Sequence, residues 1–526
     1  MKLHIKNKGI FSLAVAASMS LTACVGDLDV TPIDPNLSTP DKVLTDAQAY
    51  NRLLAKCYSG LSVSGSEGNN SDINGIDAGF GQYFRGLFNC QELPTDEAVM
   101  GWNDQTIKDL HGLQWGASDV FVNAMFYRIT QQISVCNEVM RKLAEAGNKL
   151  DDATRKQYIA EARALRDLSY LHGIDLFGNM PFKTEKEGLT STPTMKTRAE
   201  LYTWLEEDLT ALADELPANP EKYRAGKGMV YMMLAKLYLN AKVYTGTAAY
   251  DKCAEACKKV IDLGYKLEAA DEYKNLFGAE NDQYLGVGHE IIFAVYQDHI
   301  HTQAYGSTTY IVNSSTGGSM DPKTLRGING DGWGGIRVTP EFVDKFNSSD
   351  IRSKFYTDGQ TKEITAIGTF SSGYGFTKFH NLKKDGTMIA DANAFCDTDF
   401  PLYRLSDVYL MLAECQVVGG VSVNVNGKDG VALFNEVRQR AGIDALTTVS
   451  AQNIIDERAR ELAWECHRRS DLIRFGLFTT SNYLWSYKGM NSDTGAPHSV
   501  DSKYNLFPLP AKEVASNNNL KQNTGY

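Results

Sequence analysis

Beyond residue 24 the chain has no run approaching the ~20 apolar residues that a spanning helix needs, so its body is not expected to cross a bilayer. It has no basic stripe. The 53 Lys and Arg are outnumbered by 64 Asp and Glu, a net charge of −11, which argues against nucleic acid and against attraction to anionic headgroups. Recognisable catalytic signatures are absent too: no His-Glu-x-x-His, no phosphate loop, no Gly-x-Ser-x-Gly elbow. Gly286-Val-Gly288 lacks the third glycine of a dinucleotide turn, and the glycines around Trp333 suit a flexible aromatic-bearing loop better than a phosphate cradle. Paired acids for glycoside hydrolysis leave no sequence trace, so a helical glycosidase stays open. The nine cysteines show no tight zinc-like spacing. Cys57, Cys136, Cys253, Cys257, Cys415 and Cys466 fall in helical apolar patterns and read as buried free thiols. Cys253 and Cys257, one helical turn apart, would bridge only with strain.

What is present begins at the N-terminus. Lys2, Lys6 and Lys8 precede an apolar run from Ile10 to Leu21, and Leu21-Thr22-Ala23-Cys24 closes it. This pattern predicts a secretory signal over 1–23 and a lipidated cysteine at Cys24. Two or three acyl chains would then hold the protein firmly at a membrane, where one holds it only marginally. Residues 24–44, rich in Pro, Asp, Thr and Ser, read as a solvated spacer.

An apolar fraction of 43% supports a sizeable core. Helical periodicity marks 46–61, 120–146, 153–176, 197–216, 226–244 and 248–263, then 405–418, 430–442 and 451–475. Pairs such as 229–244 with 250–263, 405–418 with 431–441, and 120–143 with 152–176 follow a degenerate tetratricopeptide pattern. Residues 280–400 are rich in Gly, Ser, Thr and aromatics, with β-like runs at 291–296 and 308–312. The expected fold is mainly α, a tetratricopeptide-like helical repeat superhelix with an irregular, loop-rich, minor-β part.

Large rings in polar loops are the positive chemical signal. Trp102 lies among Met100, Gly101, Asn103, Asp104 and Gln105; Trp333 is flanked by glycines, and Tyr305 by Ala304 and Gly306. Such rings cover the apolar C–H face of a sugar while neighbouring amides and carboxylates bond its hydroxyls. Trp204 and Trp464 fall in amphipathic helices and read as core, whereas Trp115 and Trp485 fit either role. Asp397 and Asp399, two apart on an irregular segment, are able to share a hard cation such as Ca²⁺, or simply make a solvated turn. Arg468, Arg469 and Arg474 are expected to pair with nearby acids or helix ends.

Four segments carry a specific resemblance: 24–35 (CVGDLDVTPIDP), 88–97 (FNCQELPTDE), 468–476 (RRSDLIRFG), and 504–510 (YNLFPLP) through 518–520 (NNL). Together they resemble the SusD family, also called SusD/RagB, from Cys24 to the C-terminus and least well over about 340–395. The resemblance, closest to the starch-binding founder, implies a non-enzymatic outer-membrane lipoprotein. It would face the cell exterior, bind starch or maltooligosaccharides, and pass them to a SusC-like TonB-dependent transporter. By motif, the implied glycan site is Trp102, Tyr305 and Trp333 as an aromatic arc with Asp77 and Arg85 as polar partners. A further amide position falls on Asp104 or Gln105, and Met100 stands where the founder has another tryptophan. The implied structural Ca²⁺ site is Asp282, Asp397 and Asp399. The implied layout is one domain over 45–526, with repeats at about 45–275 and 400–475 and a loop-rich ligand-binding part at about 62–118 and 280–400. Another glycan (a fructan or host glycan), a helical glycoside hydrolase and a protein-only scaffold are the competing readings. The repeat side is expected to meet the transporter, with segments 77–105 and 300–340 holding the sugar.

Overall fold

The computed structural model describes residues 40–65, 70–188, 190–490 and 495–526; the leader, Cys24 and most of the spacer lie outside them. In chain order the principal helices are α1 (Ala47–Ser62), α2 (Tyr83–Gln91), α3 (Gln105–Gly112), α4 (Val120–Ala144), α5 (Asp152–Leu176), α6 (Arg198–Glu215) and α7 (Lys227–Leu239). They continue with α8 (Tyr250–Asp262), α9 (Ser307–Ser314), α10 (Leu405–Val417), α11 (Gly430–Arg440), α12 (Ala451–Glu461) and α13 (Arg468–Arg474). The fold is mainly helical. The strands used below are β1 (Val99–Met100), β2 (Ile291–Val295), β3 (Ile336–Arg337) and β4 (Phe400–Arg404).

Local chemistry starts these helices where periodicity placed them. Asp46, Asp119, Asp151 and Asp429 each accept an N–H in the first turn of α1, α4, α5 and α11, satisfying donors that have no partner inside a helix. Thr197 with Glu200 and Ser450 with Asn453 form reciprocal capping boxes at α6 and α12. The three expected helix pairs all pack together: α4 on α5, α7 on α8, α10 on α11. Contact of α8 with α10 joins the two helical blocks that are separated in sequence. Among the described residues no helix is long and apolar enough to cross a membrane.

Three expectations need correction. The stretch 226–244 divides at Asn240, with α7 ending at Leu239 and a short helix restarting at Ala241. The stretch 451–475 is two helices, because Trp464 and Cys466 adopt φ of 62° and 64° between them. Trp464 is therefore core, but in a turn. Residues 308–312 are helical, not extended: α9 is buried along its whole length, and packing overrides β-branched propensity. Its Ser314 hydroxyl donates back to Tyr310 O, as Ser315 and Thr316 just beyond its end do to Ile311 O (2.7 Å) and Val312 O (2.7 Å), while Thr308 reaches out of the helix to Thr398 O.

Trp115 and Trp485 are core, like Trp464, and Trp204 is half-buried against Tyr170 and Phe182. The eight described cysteines are all buried free thiols. The arginines of 468–476 are structural. Arg468 grips Asp96 bidentately at 2.6 and 2.8 Å, and Arg474 grips Glu414 at 2.6 and 2.9 Å. Arg469 differs by donating to the Asn505 carbonyl (2.7 Å) and lying over Phe507.

Burial alone would raise the Asp96 carboxyl, but Arg468, Lys345 and the Tyr483 hydroxyl outweigh it and hold it down at about 2. A folded-state value below the unfolded ~3.8 contributes stability that is complete above pH 4 and lost as pH falls toward 2, roughly 2 kcal/mol in all. Thermal midpoints measured from pH 5 to pH 2 should fall, and Asp96→Asn, less stable at pH 5, should show a shallower fall over the same range.

Candidate functional site

The site is built by a clasp between remote segments. Strands β1 and β3 pair antiparallel, Val99 opposite Arg337 and Met100 opposite Ile336; Gly101 N–H adds a bond to Gly335 O (3.0 Å). This register sets the residues just beyond each strand, Trp102 and Trp333, side by side. Trp102 Nε1 donates to the Trp333 carbonyl at 3.1 Å, and their ring centroids are 6.5 Å apart.

Helix α9 fixes the other side. Its last carbonyls, which lack i+4 partners within the helix, and that of Thr316 just beyond it accept from the Trp333 loop: Trp333 N to Asn313 O (2.7 Å), Gly334 N to Thr316 O (2.8 Å), Gly335 N to Ser314 O (2.7 Å). Gly332 and Gly334 have φ of 73° and 56°, so the loop carries its ring on a backbone that favours glycine. Tyr305, two residues before α9, stands 5.9 Å from Trp333 in an edge-on arrangement. All three rings are half-buried and adjacent.

Arg85 supports the arc from below. Its guanidinium lies 4.4 Å from the Tyr310 ring and 5.8 Å from Trp102, and Nη1 donates to Tyr305 O (3.0 Å). Burial lowers its pKa, while Tyr310, Asp77 and Asp104 act against that. Exposed Asp77 turns back on its own loop, accepting from Gly79 N at 2.7 Å. Asp104 is exposed at the start of α3 and makes no side-chain cap. Gln105 reaches away along α3 to Asp109 (2.8 Å). Thus Asp77, Arg85, Trp102, Asp104, Tyr305 and Trp333 come together, while the Gln105 amide is directed along its own helix. Met100 is fully buried in β1, so no exposed side chain replaces the missing ring there.

A side chain at Gly335 would collide with this arrangement. A Cβ there falls 2.4 Å from Met100 Sδ and 2.8 Å from the Trp102 indole. Gly335→Ala should therefore displace Trp102, a change visible as altered tryptophan fluorescence in an otherwise folded protein.

The sequence reading missed Tyr310, hidden in a run taken for a strand, and Phe395, a loop aromatic 5.5 Å from Tyr305. Phe395 carries the same signal that marked Tyr305, a ring in a polar irregular segment.

The three aspartates are less assembled. Asp282 pairs with Lys222 (2.9 Å) at the surface, and Asp397 lies 2.8 Å from His299 Nδ1. Asp399 is buried and accepts from Gln297 N (2.8 Å) and Tyr223 OH (2.9 Å). Burial raises it to about 8; those two hydrogen bonds oppose the rise, and Asp282 and Asp397 add to it. Their oxygens suit a hard cation, but among the described residues no three carboxylate, imidazole or thiol groups converge to hold a metal. As placed, each of Asp282, Asp397 and Asp399 has a protein partner of its own.

Comparison with known proteins decides the family. The chain is 33% identical to the Starch-binding protein SusD of Bacteroides thetaiotaomicron, covering 99% of each chain. The chain belongs to the SusD family. The SusD family model itself matches residues 354–526. Among solved structures, surface glycan-binding protein A from Bacteroides fluxus superposes with a TM-score of 0.67 at 21% identity, over 92% of this chain and 100% of that one. A laminarin binding SusD-like protein gives 0.68 at 21%, over 92% and 100%. Both share the fold of this SusD-family chain.

Proposed function

We propose that this protein is a non-enzymatic, cell-surface glycan-binding lipoprotein that captures starch-type α-1,4-glucans and delivers them to a SusC-like TonB-dependent transporter. The observation that carries the reading is the meeting of Trp102, Tyr305 and Trp333, from two remote parts of the chain, over a buried arginine. Rings 5.9 and 6.5 Å apart and tilted to one another suit a ligand already curved, since less ordering must be offset on binding. The relative named for starch binding supports the α-glucan. A structural neighbour named for laminarin makes another glycan the second reading.

Calorimetry with maltoheptaose and α-cyclodextrin against laminarin and inulin separates these. Heat with the α-glucans alone supports the first reading, and heat with laminarin or inulin alone supports the second. No heat with any of them, from folded protein, would remove the site as a glycan site. Appearance of reducing ends during long incubation with amylose would establish a hydrolase instead.

Anchoring through Cys24 at the outer membrane, facing outward, belongs to the same reading; Cys24→Ala should release the protein from the membrane fraction. The repeat helices would face the transporter, and co-purification that survives disruption of their outer surface would refute that. A structural Ca²⁺ at Asp282, Asp397 and Asp399 is proposed with them, supported by the crowding of carboxylates on Asp399. Adding Ca²⁺ to chelator-treated protein should raise its thermal midpoint, and an unchanged midpoint would count against the ion.

A further inference from the structure

The aromatic surface does not end at the three rings. Phe395 continues it beyond Tyr305, with centroids 5.5 Å apart and planes only 30° apart. Phe370 lies beside the Trp333 loop: its ring borders Gly317 and Gly334, the residue after Trp333, at 3.2 and 4.0 Å from where a Cβ on each would sit. Both phenylalanines are half-buried. Neither was expected from the sequence, and both lie within residues 354–526, the part that the SusD family model matches.

What makes these rings more than loop decoration is how they are held. Asn313 is almost fully buried; its carbonyl accepts from Trp333 N, while its side chain donates to Ala394 O (2.8 Å). One residue of α9 thus fixes both the Trp333 loop and the residue before Phe395. The Phe395 turn is closed by its own N–H on Asn393 (2.7 Å), and Cys396 N donates to Thr309 of α9 (2.9 Å). Beside the Trp333 loop, buried Arg337 of β3 has no carboxylate partner among the described residues. Its guanidinium is spent on the carbonyls of Ile367, Thr369 and Ser372, which frame Phe370. Burial pulls its pKa down to about 10. A buried cation committed to three carbonyls of one loop is an expensive anchor, and it holds that loop against the clasp carrying Trp102 and Trp333.

We infer that Phe370 and Phe395 are glycan-contacting residues flanking the three-ring arc, Phe395 beyond Tyr305 and Phe370 beside the Trp333 loop, so that the platform selects for longer α-glucans. The inference rests on the α-glucan reading above. Fixed rings on rigid supports lose little entropy on binding, and each flanking ring adds contact only for a ligand long enough to reach it.

The test is calorimetry of the full mature protein with maltotriose, maltoheptaose and a longer maltooligosaccharide. Wild type should gain affinity with length. Phe395→Ala and Phe370→Ala should keep their maltotriose affinity and lose roughly five- to tenfold for the longer ligands, with Phe395→Leu in between. Equal losses at every length, or no loss at any, would overturn the inference. If the alanine variants unfold, Phe395→Leu and Phe370→Leu decide it by the same length dependence. No binding of any maltooligosaccharide by wild type would instead overturn the α-glucan reading itself.

Discussion

Arg404→Ala should cost about 3–5 kcal/mol of stability, the expected penalty for stripping the partner from buried opposite charges. Arg404 is wholly buried and bonds Glu290 (2.6 Å), Glu461 (3.1 Å) and Glu465 (2.7 Å). Glu461 also meets Arg440 and Arg352, which in turn reaches Glu457 and Asp350. Lys378 completes the group on Glu465 at 2.6 Å. The network ties β4 and the Glu290 segment beside β2 to α11 and α12, so removing its centre leaves three carboxylates short of charge. For a domain of this size the unfolding entropy is about 1 kcal/mol per kelvin, and the thermal midpoint should drop by about 3–5 °C. The control is Lys222→Ala, which breaks a solvent-exposed pair with Asp282 and should change stability by less than about 1 kcal/mol. Calorimetric scans of both variants at pH 7 check this. An Arg404→Ala midpoint within a degree of wild type would show that the remaining cations suffice.

The second large effect is on binding. Trp333→Ala and Trp102→Ala should each weaken maltoheptaose binding by about 1–3 kcal/mol. They should not add. Because Trp102 donates to the Trp333 carbonyl and the rings touch, removing either loosens the other, and contacting residues couple by about 0.5 kcal/mol or more. Trp102→Phe separates the two roles: it keeps a ring but loses the indole N–H, so it should fall between wild type and Trp102→Ala. Equal affinities for all variants and wild type would place the glycan elsewhere.

Much of the frame was legible from local chemistry. The three helix pairs could be read because each helix carries its own apolar stripe and its own cap, and neighbouring helices in sequence pack together. What could not be read was set by contacts from afar. Nothing local in 451–475 breaks the helix. The break follows from the 88–97 segment, where Glu97 accepts the Trp464 N–H (3.2 Å) and Glu92 accepts that of His467 (3.0 Å). The β-branched run at 308–312 misled in the same way, because a helix buried on every side is chosen by its neighbours.

The site divides along similar lines. Rings in polar loops flagged Trp102, Tyr305 and Trp333, and a motif match added Asp77 and Arg85. Their meeting depends on a two-residue strand pair, β1 with β3, too short to leave a periodic signal. The role of Arg337 and Asn313 as anchors was invisible, since a buried side chain that bonds backbone carbonyls has no partner residue type to look for. The aspartates near 397–399 show the converse. Their spacing suggested a shared cation and said nothing of the neighbours that His299 and Tyr223 bring to Asp397 and Asp399, and Lys222 to Asp282, from distant segments.

The most direct test of the account is a crystal structure of the mature protein soaked with maltoheptaose. Glucose units should lie in van der Waals contact with the exposed faces of Trp102, Tyr305 and Trp333, their chain bent along the arc. Ordered sugar bound on another surface, with these three rings bare, would contradict it.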